Sequence, residues 1–145
     1  MVTSANQDFS TMTFPPKKWL IATNGTRYAS EAVKHAGLLS SVLTDKPEVT
    51  ILVVAAKKED EDVALGIVEM AKFLFEEEGK HIVEPNLEVR VGEPGDTILA
   101  TARELECDHI LIGGADFKWD INAPEPGGVS NYIIAHFDGV ITVVK

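Results

Sequence analysis

Short apolar runs alternate with longer stretches of helical period from Lys17 onward. The runs predict five strands, at 19–23, 49–54, 87–91, 109–112 and 140–144. The segments between them predict four helices, at 26–43, about 63–79, 94–106 and 129–137. The first run is almost wholly apolar, as expected for a strand covered on both faces, whereas Leu87–Val91 alternates strictly and is typical of an edge strand. The order βαβαβαβαβ predicts an α/β fold with one open, mostly parallel sheet and helices on both faces.

Three of the predicted helices carry an apolar stripe at i, i+3 and i+4 spacing, which is the face that a helix buries. In the first helix, with Thr26 as its N-cap, the stripe comprises Ala29, Ala32, Val33, Ala36, Leu39 and Val42. In the second, which ends near Gly79, it comprises Val63, Ile67, Met70, Ala71 and Leu74. In the third, which Pro94 opens, it comprises Ile98, Leu99, Ala102 and Leu105.

Residues 1–16 show no period and end in Pro15-Pro16. We expect a flexible N-terminal arm there and a folded domain over residues 17–145. A chain of 145 residues and 15.7 kDa has the usual size of one domain, and no repeat or second domain is visible.

The excess of acidic over basic residues makes some classes of binding partner improbable. The formal net charge is -10, and such a surface repels phosphate backbones and anionic lipid, so nucleic-acid and membrane partners are not expected. A single cysteine, Cys107, excludes an internal disulfide framework. No apolar run reaches the ~20 residues of a membrane span, and the first residues do not resemble a secretory signal. The expected location is cytoplasmic.

Candidate chemistry lies in the loops that follow the first, second and fourth strands, because open parallel sheets bind ligands beyond their carboxyl ends. These loops include Asn24, Val54 and Gly113, and Gly127-Gly128-Val129-Ser130 opens the last helix. Glycine ahead of a helix lets backbone N–H groups approach an anion, and Ser130 adds a hydroxyl. The same residues are also typical of an ordinary turn and helix cap. The residues alone therefore leave both interpretations open.

Four segments together resemble the universal stress protein family over about 17–145. They are Ala22-Thr23-Asn24-Gly25-Thr26, Val91-Gly92-Glu93-Pro94, Cys107 through Gly113, and Gly127 through Val144. The resemblance implies a Rossmann-like sheet of the adenine nucleotide alpha hydrolase-like kind with strand order 3-2-1-4-5. It also implies a homodimer in which the last strands of two subunits pair; the alternative is a last strand without a partner.

Members of this family that bind ATP carry a glycine-rich loop after the fourth strand, and the match here is incomplete. Gly113 fits the first glycine of the loop, but Asp116 replaces the second. Ten residues, not nine, then precede Gly127, and Gly128 stands where a hydroxyl is usual. Val129 and Ser130 fit the next two positions of the family pattern. At the adenosine end Asn24 replaces the usual aspartate, and Val54 matches the position whose backbone meets the base.

Two functional hypotheses arise from this incomplete match. In the first, the protein is a non-catalytic, cytosolic stress-response regulator with a degenerate cleft, which needs no cofactor and acts through its homodimer or a regulatory protein partner. In the second, it is a nucleotide-dependent switch that binds ATP or AMP with Mg²⁺. A divalent cation held by Asp116 or Asp120 would then let the altered loop accept a triphosphate, although loop carboxylates are more often solvated. Slow ATP hydrolysis has the least support, since no catalytic set and no residue positioned to activate water can be named. Cys107 is interpreted as a structural thiol, and Trp119 is expected to pack on the domain.

Overall fold

A computed structural model describes residues 15–114 and 128–145. The five strands of these residues are β1 Lys18–Ala22, β2 Glu48–Ala55, β3 Asn86–Val91, β4 His109–Gly113 and β5 Val140–Val144. The four α-helices are α1 Arg27–Val42, α2 Glu61–Glu78, α3 Pro94–Glu104 and α4 Val129–His136. A 3₁₀ turn, Lys58–Asp60, leads into α2. The predicted division of the chain at residue 16 stays a prediction.

The strands form one parallel sheet in the order β3-β2-β1-β4-β5. β1 lies at the centre, where Trp19 aligns with Val49 of β2 on one side and with His109 of β4 on the other. This arrangement confirms both the α/β class and the strand order that the sequence resemblance implied. The chain runs from β1 to β2 and β3 on one side and then crosses to β4 and β5 on the other side of β1. Because the strand order reverses at β1, a crevice opens at the carboxyl ends of β1 and β4.

Alternation along β1 divides the core into two layers. Trp19 and Ile21 point to the side covered by α1 and α2, where Phe75 is fully buried. Leu20 and Ala22 point to the opposite side, where residues of α3 and α4 complete a second cluster. The helices therefore cover both faces of the sheet, as the alternating element order predicts.

The prediction of which face of the second helix is buried is partly wrong. α2 buries Ala64, Val68, Ala71 and Phe75, whereas Val63 is 63% exposed and Met70 is 58% exposed. The helix has two apolar stripes about 100° apart. The stripe that contains Ala64 and Ala71 is the one that faces the sheet, and its small side chains let the helix lie close to the strands. Val42, predicted to be buried at the end of α1, is also exposed.

The two edge strands differ in character. β3 is half-exposed as predicted, and Arg90 on it forms ion pairs with Glu88 and with Glu104 of α3. All five residues of β5 are half-buried, and four of them are apolar. β5 thus presents an apolar edge at one side of the sheet.

The start of the described domain is fixed to the amino-terminal edge of the sheet. The carboxylate of Asp108 accepts hydrogen bonds from the backbone N–H groups of Lys17 and Lys18, at 2.9 and 2.8 Å. The indole N–H of Trp19 donates to the carbonyl of Pro16 at 2.9 Å. These bonds lie at the end of the sheet opposite to the crevice.

Candidate functional site

A cavity of about 330 Å³ opens at the carboxyl ends of β1, β2 and β4, beside α3 and α4. Its inner wall is apolar and includes Leu52, Ile98 and Ile112. Polar side chains of Asn24, Thr26 and Ser130 also line it. None of the described residues that line this cavity carries a formal charge. The cavity therefore combines an apolar interior with a neutral, hydrogen-bonding border, which is the usual make-up of a small-molecule site.

The loop between β1 and α1 is shaped by Asn24. The side-chain oxygen of Asn24 accepts hydrogen bonds from the N–H and the hydroxyl of Thr26, at 3.1 and 2.7 Å. Thr23 accepts a further bond from the N–H of Gly25, whose φ of +81° suits a glycine. Because its oxygen is used by the loop, Asn24 offers a ligand its amide NH₂. The predicted N-cap Thr26 stands at the N-cap position, but its side chain makes no capping bond to α1.

Gly113 ends β4 directly against the first turn of α1. A Cβ atom there would lie 2.4 Å from the backbone nitrogen of Ala29, so the position needs a glycine for helix–strand packing. The hydroxyl of Ser130 donates to the carbonyl of Gly113 at 3.1 Å, and Ser130 is buried. This bond ties the start of α4 to the end of β4.

The amino terminus of α4 lies at the cavity. Gly128 is the N-cap of α4, and Val129 and Ser130, in its first turn, line the cavity. The first N–H groups of a helix lack intrahelical acceptors and carry partial positive charge. They are one anion-attracting feature of the cavity, beside the amino termini of α1 and α3, whose residues Thr26 and Pro94 also line it.

Two side-chain contacts hold α3 and α4 together as one side of the cavity. Tyr132 of α4 lies over Gly95, where a Cβ atom would be 2.5 Å from its ring. The Tyr132 hydroxyl donates to the carboxylate of Asp96, and this hydrogen bond raises the pKa of Tyr132. Glu93 caps α3 by accepting from the N–H of Asp96 at 2.9 Å. The spacing between the two helices is therefore set by specific contacts.

The structure brings five of the eight predicted binding residues to this one cavity. They are Asn24, Val54, Gly113, Val129 and Ser130. Gly128 adjoins them as the N-cap of α4. Asp116, Gly127 and Trp119 lie outside the described residues, and nucleotide contact by any of the eight stays a prediction.

Sequence reasoning missed several lining residues, among them Ala29, Pro94 and Ile98. Pro94 and Ile98 could have been predicted from the position of their helix in the order of elements. A helix that begins at the carboxyl end of the third strand and crosses back to the fourth must pass over the crevice, so its first turn faces the ligand space.

Two titratable groups, the half-buried Cys107 and the buried His109, lie at the opposite end of the sheet. Burial raises the pKa of the Cys107 thiol to about 11, so the thiol stays protonated at neutral pH. Burial lowers the pKa of His109 to about 4. The Nε2 atom of His109 lies 2.8 Å from the hydroxyl of Thr142, and Nδ1 has no hydrogen-bond partner among the described residues. No three metal-ligand side chains cluster within residues 15–114 and 128–145.

No described helix has the length and apolar character needed to cross a membrane.

Comparison with known proteins identifies the fold and the family. One solved universal stress protein in complex with cAMP superimposes with a TM-score of 0.77 at 17% identity, covering 89% of this chain and 96% of that one. A universal stress protein from Archaeoglobus fulgidus in complex with dAMP gives a TM-score of 0.68 at 20% identity, covering 92% and 100%. No curated protein matches the chain in sequence.

The sequence pattern of the Universal stress protein family matches residues 16–145. That match includes every described strand and helix. The chain therefore belongs to the universal stress protein family.

Proposed function

We propose that this chain is a non-catalytic regulatory protein of the stress response, whose cleft binds an adenine nucleotide and takes a nucleoside monophosphate in preference to ATP. One observation carries the proposal. The crevice at the carboxyl ends of β1, β2 and β4 contains an open cavity of about 330 Å³ that the chain's own described side chains do not fill. An accessible cleft favours the nucleotide-binding hypothesis over an empty scaffold.

The wall of the cavity matches the parts of a nucleotide. Leu52, Val54 and Ile98 offer an apolar surface to a flat purine ring. The amide of Asn24 can donate to a ribose hydroxyl. The amino terminus of α4 offers N–H groups to a phosphate. The relatives solved with cAMP and with dAMP support this class of ligand.

The preference for one phosphate follows from charge. No lysine or arginine is among the described lining residues, and the chain carries a net charge of -10. The amino termini of α1, α3 and α4, to which the lining residues Thr26, Pro94 and Val129 belong, each supply only about half an elementary charge. Partial charges of this size suit one phosphate better than three. Each further phosphate adds repulsion from the acidic surface without a cation to offset it.

The absence of catalysis is part of the proposal and rests on the composition of the wall. The described lining residues include no imidazole, carboxylate, amine or thiol that could activate water. The hydroxyl of Ser130 already donates to the carbonyl of Gly113. We therefore expect a bound nucleotide to act as a signal.

A homodimer through β5 and action in the cytosol complete the proposal. The open edge of β5 is apolar and half-buried, and a second copy of the same strand would cover it. The free, half-buried thiol of Cys107 suits a reducing compartment.

Isothermal titration of the full chain with AMP, ADP and ATP, each with and without Mg²⁺, tests the nucleotide. AMP should bind with a micromolar dissociation constant, and affinity should fall as phosphates are added. Val54→Phe should weaken AMP binding by about tenfold, because the larger side chain enters the cavity. Val91→Phe, at an exposed position one strand away, is the matched control and should leave binding unchanged.

Two results would contradict the proposal. The first is no detectable heat of binding with AMP, ADP or ATP at millimolar concentration. The cleft would then have only a structural role, and the first hypothesis, action through protein partners alone, would be favoured. The second is an affinity that rises from AMP to ATP. That order would mean that the negative charge of the additional phosphates is neutralised by groups other than the described lining residues.

A further inference from the structure

The exposed side of α2 carries an apolar stripe that the core does not use. Val63, Gly66, Met70 and Phe73 recur at i, i+3, i+7 and i+10, so they share one face of the helix. The side chains of Val63, Met70 and Phe73 are 63%, 58% and 57% exposed. Single exposed apolar residues are ordinary on protein surfaces, but a stripe over three turns of one helix marks a contact face.

A groove runs beside this stripe, between α2 and α1. The two helices touch where Gly37 meets Phe75, at a position where a Cβ on Gly37 would lie 2.3 Å from the Phe75 carbonyl oxygen. Closer to the amino-terminal ends of both helices lies a cavity of about 240 Å³. Val63, Gly66, Ile67 and Met70 of α2 line it, together with Ser30 of α1 and Gly25 of the preceding loop. We call this cavity and the exposed stripe the α1/α2 groove.

Gly66, at the middle of the groove, has no structural reason to be glycine. A Cβ atom there would meet nothing within 4 Å, and its φ is not in the left-handed region. Glycine inside a helix is less stable than alanine by about 1 kcal/mol. Within the described residues no contact at Gly66 offsets this cost, so the position leaves room for a close approach to α2 from outside.

The border of the groove is acidic. α2 contains six acidic residues and a single basic one, Lys72. Asp62 and Glu69 are exposed on α2, and neither forms an ion pair with any residue in the described ranges. Lys57, Lys58, Glu59 and Asp60 precede the helix, which begins with Glu61 and Asp62 and ends with Glu76 through Glu78, so acidic residues outnumber basic ones at both ends. The apolar stripe is therefore flanked by negative charge at both ends.

We propose that the α1/α2 groove docks an amphipathic helix of a partner protein, with apolar residues on one face and lysine or arginine beside them. Apolar anchors at i, i+3 or i+4, and i+7 would fit the groove, and the basic flanks would meet its acidic border. The same border disfavours anionic lipid and nucleic acid. A second copy of the chain carries the same negative charge, and residues 1–14 contain no lysine or arginine. The groove adjoins the candidate cleft, because Thr23 lines both cavities, but docking of a helix on α2 needs no bound nucleotide. This inference therefore does not depend on the proposed function.

A fluorescent synthetic helix of leucine and lysine, with leucine at i, i+3, i+4 and i+7, is the probe. Its binding to the full chain is measured by fluorescence anisotropy. Gly66→Leu should weaken binding at least about tenfold, because it fills the groove where the chain itself leaves open space. Ala100→Leu, on the exposed side of α3, is the matched control and should change affinity by less than about twofold. The thermal midpoint of Gly66→Leu should not fall below that of the natural sequence, since leucine is the better helix former.

Charge variants separate docking from general attraction to an acidic protein. Glu69→Lys lies beside the groove, and Asp45→Lys is exposed in the loop after α1; both change the net charge equally. Glu69→Lys should weaken binding about tenfold and Asp45→Lys by less than about threefold.

Three results would overturn the proposal. The first is no binding of the probe at about 100 µM, and the second is equal weakening by the two charge variants. The third is a protein dimer that Gly66→Leu dissociates, which would make a second copy the occupant of the groove.

Discussion

His109 is held neutral inside the sheet. It is 4% exposed, its ring meets Trp19 edge-on at 4.9 Å, and Nε2 lies 2.8 Å from the Thr142 hydroxyl. A charged imidazole there would lose its hydration, because the ring is almost completely enclosed by the protein. Burial therefore lowers the pKa of His109 to about 4.

This lowered pKa predicts a pH dependence of stability. As pH falls below about 6.5, His109 takes up a proton in the unfolded chain but not in the folded one, so the fold loses stability until pH reaches about 4. Between pH 7 and pH 5 the loss should be about 2 kcal/mol in the free energy of unfolding. Urea denaturation at several pH values measures it. His109→Gln should flatten the slope, because it removes the imidazole that burial holds neutral. An unchanged slope in His109→Gln would contradict this account.

Asn24 shows how much of the site can be predicted residue by residue. Its position at the end of β1 follows from the strand pattern, and the family resemblance points to the cleft. What the sequence does not reveal is the use of its side-chain oxygen, since the bond to Thr26 depends on the loop conformation. Gly113 is similar, because its contact with α1 depends on how closely the helix lies against β4.

At the scale of elements, the contact between α1 and α2 decides which side of α2 is buried. Gly37 and Gly79 let the backbones approach, since a Cβ on Gly79 would lie 2.6 Å from the Gly37 carbonyl oxygen. This close contact fixes the rotation of α2 about its axis. The sheet then receives the stripe of Ala64, Val68, Ala71 and Phe75.

The same substitution at two glycines should have opposite effects. Gly37→Ala places a methyl group 2.3 Å from the Phe75 carbonyl oxygen and should lower the free energy of unfolding by about 1–3 kcal/mol. Gly66→Ala meets no atom within 4 Å and should raise it by about 1 kcal/mol. Chemical denaturation of both variants and of the natural sequence measures the two changes in the free energy of unfolding. Shifts of the same sign would refute the assignment of the two glycines.

Periodicity predicted the elements but not the buried side of α2. The strands were predictable because β-branched runs end at glycine, proline and asparagine, and the element order requires a parallel sheet. Val63 and Met70 fit a helical stripe as well as Val68 and Phe75 do. Hydrophobicity alone cannot choose between two such stripes. The choice depends on backbone contacts between helices, which no local pattern encodes.

On the scale of the whole molecule, the edge of β5 is where two copies are proposed to meet. Val140 donates its N–H to Asp108, and the carbonyl of Val144 accepts from Gly114. Because hydrogen bonding alternates along a strand, the N–H groups of Ile141 and Val143 point away from β4. A second β5 would pair with these two groups.

Val143→Pro should therefore abolish the dimer without breaking the β4–β5 ladder, since proline removes only an outward donor. Val143→Thr keeps the N–H group and the branched shape and should remain dimeric. Light scattering during size-exclusion chromatography gives the masses of both. If the protein of natural sequence is a monomer, or if Val143→Pro is still a dimer, the proposed interface at β5 is wrong.

The central position of β1 in the sheet affects folding during synthesis on the ribosome. β1 pairs with β2, which begins at Glu48, and with β4, which begins only at His109. During synthesis the first three strands can assemble while the other edge of β1, with Trp19 through Ala22, still lacks its neighbour. Such a strand invites pairing with another nascent chain until β4 emerges. The same topology that creates the crevice thus makes the second half of synthesis the period in which the protein is most open to aggregation.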